Sequence, residues 1–190
     1  MNPQHAHELL ATYASDTLLH NQQVGWLMRW FAQSLGEDID RWYITWLLHD
    51  IDRDHIGKDA DKHLWDEFAQ IMDQLTIAMS PSLWKEVAAK LTEDLVADIR
   101  THYPSKTQLE PSTLIQKYLI SIDELSGLMY AYSRMRWGFD GMEVKWVIKK
   151  IKDKSFAAGV DREHVRNCEI YLNIPLEEFV WQMIQAFQSL

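Results

Sequence analysis

Apolar residues recur at intervals of three and four along almost the whole chain, and strand-like alternation is scarce. Only 7 Gly and 5 Pro interrupt that rhythm in 190 residues, which predicts long helices joined by short connections and an all-α fold. The spacing predicts helices over about 4–18, from His20 to a stop at Gly36, 38–50, 63–79, 82–102 and 112–135. Three shorter ones follow near 142–151, 161–171 and 176–188. Within 38–50, Trp42, Tyr43, Ile44, Trp46, Leu47 and Leu48 leave almost no polar face, so this helix belongs at the centre of its bundle. The nine Trp read mainly as rigid packing residues; Trp137 or Trp181, if exposed, could instead mark an interface, though packing is the first reading, and the oligomeric state stays open.

Composition narrows the function classes. A 22.4 kDa chain is one domain's worth and buries enough surface to fold without a staple. A lone cysteine, Cys168, excludes an intrachain disulfide and fits a reducing, cytoplasmic setting. The net charge of −9 argues against long nucleic acid and anionic membranes as partners. The longest apolar run, Trp42–Leu48, is too short to span a bilayer, and Met1–His20 lacks the basic start and apolar stretch of a signal peptide.

The informative pattern is where histidine and aspartate stand. His49-Asp50 ends the most apolar helix, where burying an imidazole beside a carboxylate is costly unless something pairs with both. Asp123 lies inside the 112–135 helix among Leu119, Ile122, Leu125 and Met129, so it points to the core or its edge. Gly127, one turn on, leaves room beside it for an ion or a ligand. His20, His63 and His102 each fall at a helix end, and helix ends can converge at one end of a bundle. Singly, each has a plainer reading as a capping, surface or salt-bridged residue. Jointly, His20, His49, Asp50, His63, His102 and Asp123 have the composition a two-metal site requires, because imidazoles suit first-row metals and a carboxylate can bridge two cations.

The order His20 … His49-Asp50 … Asp123 resembles the signature of the HD-domain superfamily of metal-dependent phosphohydrolases. The wording Leu47-Leu48-His49-Asp50 and Asp123-Glu124-Leu125 is close to the usual one, and His63 and His102 match the two-metal members. Within the superfamily the chain is similar to a group of small bacterial HD hydrolases that share the tail Lys152-Asp153-Lys154-Ser155-Phe156-Ala157-Ala158-Gly159-Val160, Arg162-Glu163 and Cys168-Glu169. The resemblance implies an HD-type catalytic helical core over 1–136 and a C-terminal helical extension over 137–190. It also implies one or two divalent transition ions, Fe, Mn or similar. Asp50 would bridge, His20, His49 and Asp123 would hold one ion, and His63 and His102 the other. The implied activity is hydrolysis of a nucleotide or other small phosphorylated metabolite.

Many relatives carry Gly where this chain has Asp52, which adds a carboxylate near the ions or caps the turn. An EF-hand reading of Asp52, Asp54 and Gly57 fails, because Ile56 and His63 stand where oxygen ligands are needed. The polar connection after the doublet offers Asp52, His55 and Lys58 as general-acid candidates. Lys145, Lys149, Lys150, Lys152 and Lys154 form a basic run that is either a solvated face or a wall for phosphate, to which Arg134 and Arg136 could add bidentate contacts. Lys154 and Arg136 match recurrent positions of the resembling group. Two rivals share the ligand set: an HD-fold di-iron oxygenase, and a non-catalytic helical regulator that holds metal or nucleotide as a structural ligand.

Overall fold

The computed structural model describes residues 3, 4, 6, 7, 18–50 and 93–189. Among them every regular element is helical, and no strand occurs. Helix α1 (Leu18–Leu35) buries Val24, Leu27, Met28, Phe31 and Ala32, the inward face of a 3.6-residue period. Gly36 then takes a left-handed φ of 73°, and the Glu37 N–H bonds back to the Ala32 carbonyl at 2.9 Å, which ends the helix. Two residues later the Asp38 carboxylate accepts from the Arg41 N–H at 3.0 Å and starts α2 (Ile39–Leu47). Every residue from Trp42 to Leu47 is buried, as an apolar surface nearly all round requires.

Helices α1 and α2 meet where α1 has no side chain. A Cβ at Gly25 would stand 2.9 Å from Tyr43 Cε2 and 3.3 Å from Leu47 Cδ2. The crossing is also tied by Asn21, whose amide donates to the Leu47 carbonyl at 3.2 Å.

Helix α3 (Glu93–Arg100) packs against α2 and against α5 (Leu114–Arg136), the longest described helix. Asp98 joins the three. Its carboxylate takes Arg41 Nη2 of α2 at 2.6 Å on one oxygen and Gln116 Nε2 of α5 at 2.9 Å on the other, and the residue is 2% exposed. A one-turn helix α4 (Pro104–Thr107) begins two residues after the end of the span expected for its predecessor. Proline suits a first turn, where its missing N–H would have no partner anyway. The cap of α5 is Thr113, one residue after the expected Ser112, with Gln116 completing a reciprocal capping box.

Helix α5 ends on Trp137, which itself takes the left-handed conformation at φ 66°. Helix α6 (Val144–Lys152) returns beside it, with Lys150 Nζ 5.7 Å from the Tyr132 ring centre. The loop that follows is organised by one side chain. Arg162 donates to the carbonyls of Ile151 (3.2 Å), Ala157 (3.2 Å), Val160 (2.9 Å), Asp153 (3.3 Å) and Phe156. This corrects the helix expected over 161–171. A short 3-10 turn (His164–Arg166) and a π turn (Cys168–Leu172) stand there instead. Asp161 caps the N–H groups of Glu163 and His164, and Asn167 donates to the Ile120 carbonyl at 3.1 Å, so tertiary bonds override the helical rhythm. Helix α7 (Leu176–Gln188) follows the expected span.

One continuous core runs through the described residues. It joins Leu27, Phe31 and Trp46 to Leu119 and Ile122 of α5 and to Phe179 and Met183 of α7. The 137–189 segment therefore shares its apolar interior with α1 and α5. Phe179 stacks on Phe31 at 5.6 Å, and Phe187 stacks on Phe139 at 4.0 Å. Burying each such side chain is worth about 1.5–3 kcal/mol. Cys168 is fully buried, and burial pushes its thiol up to about 12, so it is a packing residue rather than a nucleophile.

Tryptophan departs from the expected pattern. Trp42 and Trp46 are core residues, but Trp26, Trp146 and Trp181 are about half exposed and Trp137 is 98% exposed. Trp137 caps α5, and a left-handed cap residue points away from the helix it ends. No described helix is long and apolar enough to cross a membrane.

Candidate metal centre

Four separate segments bring five of the predicted ligands to one place. His20 stands in the first turn of α1, and His49 and Asp50 in the turn that ends α2. His102 follows α3, and Asp123 lies in the middle of α5. His20 Nε2 is 3.4 Å from Asp123 Oδ1, and His49 Nε2 is 3.7 Å from the same oxygen. Asp50 lies between two rings, with Oδ2 3.6 Å from His49 Nε2 and Oδ1 3.7 Å from His102 Nε2. The His20, His49, Asp50 set and the His49, His102, Asp123 set each offer three ligand atoms within 4.8 Å of one another. Metal–nitrogen and metal–oxygen bonds of 2.0–2.2 Å put ligand atoms of one ion roughly 3.0–4.3 Å apart. The observed separations fall in that range and exceed hydrogen-bond length.

The tautomers follow from the backbone. His49 Nδ1 is 2.7 Å from the Trp46 carbonyl, and His102 Nδ1 is 2.6 Å from the Ile99 carbonyl. A carbonyl only accepts, so each Nδ1 carries a proton and Nε2 turns into the site. This is the outer bond that metal-ligating histidines commonly make. His49 Nε2 is buried and has no hydrogen-bond partner. Two carboxylates beside this buried nitrogen gather negative charge that a cation among the three would balance. The donor set, three imidazoles and two carboxylates, fits a first-row divalent ion.

Burial grades across the cluster. The His49 and His102 side chains are 0% and 1% exposed, Asp50 and Asp123 11% and 19%, and His20 31%. His49 and His102 therefore form a floor, and His20 and Asp123 the open side. Burial alone would lower the pKa of His20, but the Asp123 carboxylate facing it, with Asp50 and Glu124 behind, holds it above the ordinary histidine range. Burial likewise favours neutral Asp123, yet the rings of His20 and His49 keep its carboxyl well below the usual carboxylate range.

Residues outside the predicted ligand set also shape the site. The Trp46 indole lies against the His49 ring at 4.3 Å. Asn21, 0% exposed, fixes the end of α2 relative to His20, with its own Oδ1 buried and without a hydrogen-bond partner. Its place beside His20 on an otherwise apolar face is the one hint in the sequence. Glu124 accepts the Asp161 N–H at 3.0 Å, and the His164 ring meets Tyr103, next to His102, edge-on at 5.9 Å. The C-terminal segment thus touches the sequence neighbours of Asp123 and of His102.

His63, Asp52, His55 and Lys58 lie outside the described residues. Arg134 and Arg136 are 11 and 13 residues past Asp123 on one helix, roughly 17 and 20 Å along its axis. Arg136 Nη2 donates to the Asp140 carbonyl at 3.0 Å, and Arg134 Nη1 to the Tyr130 hydroxyl at 3.2 Å. The structure does not bring these two arginines to the cluster, because a straight helix carries them away from it. Lys154 is exposed in the loop after α6. Comparison of the chain with protein-family models, curated proteins and solved structures finds no match.

Proposed function

We propose that the cluster is the metal centre of an HD-type phosphohydrolase acting on a nucleotide or another small phosphorylated metabolite. The observation that carries the metal reading is His49: a fully buried ring whose Nδ1 is committed to a carbonyl and whose Nε2 faces Asp50 and Asp123 without a hydrogen-bond partner. Among the described residues His20, His49, Asp50, His102 and Asp123 would hold the ion or ions, and the resemblance adds His63. When bound, divalent ions supply a Lewis acid for a phosphoryl oxygen and acidify a water near neutral pH.

The chain's own residues supply the rest. Asp50 presents one oxygen to His49 and the other to His102, the disposition a bridging carboxylate needs. The carbonyls of Trp46 and Ile99 lock both ring orientations before any ligand arrives, so little reorganisation is left for the binding step. The packed floor excludes water, and the side marked by His20 and Asp123 admits substrate. Within this proposal the proton for the leaving oxygen comes from Asp52, His55 or Lys58, which follow the doublet in sequence.

The test is elemental analysis of the purified protein, followed by phosphate release from a nucleotide panel with Mn, Fe, Co, Ni, Zn and Mg, under air and under anaerobic conditions. Stoichiometric metal and phosphate release without oxygen support the proposal. Substrate-dependent oxygen consumption without phosphate release would assign the centre to oxygen chemistry instead.

A further inference from the structure

Helix α5 leads away from the cluster along a surface row. Residues spaced by 3.6 share a face, so Asp123, Gly127, Tyr130 and Arg134 lie in line. Their burial agrees: these four are half-buried or exposed, whereas Leu125, Leu128 and Met129 between them are 0% exposed. Gly127 keeps the row low, since a Cβ there would meet only Val160, at 3.9 Å. Tyr130 comes next, about 10.5 Å from Asp123 along the axis. Its ring is held by Arg134, whose guanidinium carbon lies 5.9 Å from the ring centre while Nη1 bonds the hydroxyl. The row ends in the only strongly basic stretch of an acidic chain. Residues 134–154 carry seven Lys and Arg against three Asp and Glu, a net of 7 − 3 = +4 where the whole chain is −9.

A site with an open carboxylate end, a flat glycine and then a pinned aromatic ring two turns away matches a phosphate ester whose leaving group carries a ring. A nucleoside monophosphate has that build, with one sugar between phosphate and base. We infer that Tyr130 is a specificity-determining residue: the row from Asp123 to Arg134 receives a ring-bearing phosphate ester, with the phosphate at the His/Asp cluster and the ring against Tyr130. Arg134 is a positioning residue that acts through the Tyr130 ring and hydroxyl. The inference rests on the cluster being the phosphate end of the site.

The experiment compares kcat/KM of the metal-loaded full chain for a nucleoside 5′-monophosphate and for glycerol phosphate, which has no ring. In Tyr130→Ala and Tyr130→Leu the ratio of the two constants falls about tenfold, chiefly through KM, the size of one base–aromatic stack. Tyr130→Phe keeps the ring and loses only the Arg134 hydrogen bond, so its ratio stays within about twofold. An unchanged ratio in Tyr130→Ala overturns the inference and leaves the hydrolase reading standing. If the unsubstituted protein turns over neither ester, the hydrolase reading fails, and calorimetric binding of the nucleoside monophosphate decides. A tenfold weaker Kd in Tyr130→Ala upholds the row, while an equal Kd, or no binding by the unsubstituted protein, overturns it.

Discussion

The imidazoles of His49 and His102 meet nearly at right angles, ring centres 5.1 Å apart and planes at 73°, each steered by the carbonyl three residues before it. The shared carboxylate between them is Asp50. Asp50→Asn keeps the shape and removes the negative charge, so metal affinity should fall at least tenfold, and His49→Ala should abolish retention. Competition against a chelator and metal counts per chain measure both, with circular dichroism reporting that the helices persist. Full metal content in His49→Ala would remove the centre from the account.

The metal-free protein should show a pH signature with a defined sign. The raised folded pKa of His20 contributes stability that is complete below its unfolded value of about 6.5 and is lost as pH rises through the folded value. The lowered pKa of Asp123 contributes stability present above about pH 4 and lost as pH falls toward its folded value. Thermal stability of stripped protein should therefore be greatest between those limits, and His20→Gln should flatten the alkaline slope. Metal binding has the opposite dependence. The His20 proton must leave, so affinity rises with pH, and calorimetry in buffers of different ionisation enthalpy should record proton release.

Asp98 ties together the three helices that carry or precede His49, His102 and Asp123. Asp98→Ala leaves Gln116 and Arg41 without their buried partner, and Arg41 is already 44% exposed at its side chain, which softens the loss. A destabilisation of about 2–3 kcal/mol is expected, from a lower urea midpoint at unchanged slope. A loss under 0.5 kcal/mol would mean that the apolar contacts alone hold α3 in place.

Gly25→Ala sets two effects against each other. Alanine favours the helix by about 1 kcal/mol, but a Cβ 2.9 Å from the Tyr43 ring forces α1 off α2, which costs about 1–3 kcal/mol. The overlap involves a ring that is 2% exposed and already bonded to His7, so it has little freedom to yield. The net result should be a Tm several degrees lower.

Much of the fold was legible because burial and helical period coincide. Ile115, Leu119, Ile122, Leu125 and Met129 mark the inner face of α5 in sequence and are all buried. The convergence of His20, His49, Asp50, His102 and Asp123 was likewise readable, since ligand-type residues at the ends of apolar helices demand a common reason. What escaped depends on side chains that reach far along the chain. Arg162 spends its donors on the carbonyls of the loop before it, Asn167 spends its amide on Ile120 of α5, and together they break a helix that periodicity alone predicts. Trp137 has the hydropathy of a core residue and the position of a cap, and the cap wins. Tyr130 comes into view only when 3.6 is counted outward from Asp123, and Arg134, read in the sequence as a phosphate contact, instead bonds the Tyr130 hydroxyl.

Because one guanidinium gathers five backbone oxygens, the loop from Asp153 to Val160 owes its shape to a residue outside it. Exposed positions such as Lys154 and Ala158 can change without altering that shape for as long as position 162 keeps its fork of donors. The surface that this loop lays beside Gly127 of α5 could in this way be re-lettered while its outline stayed the same.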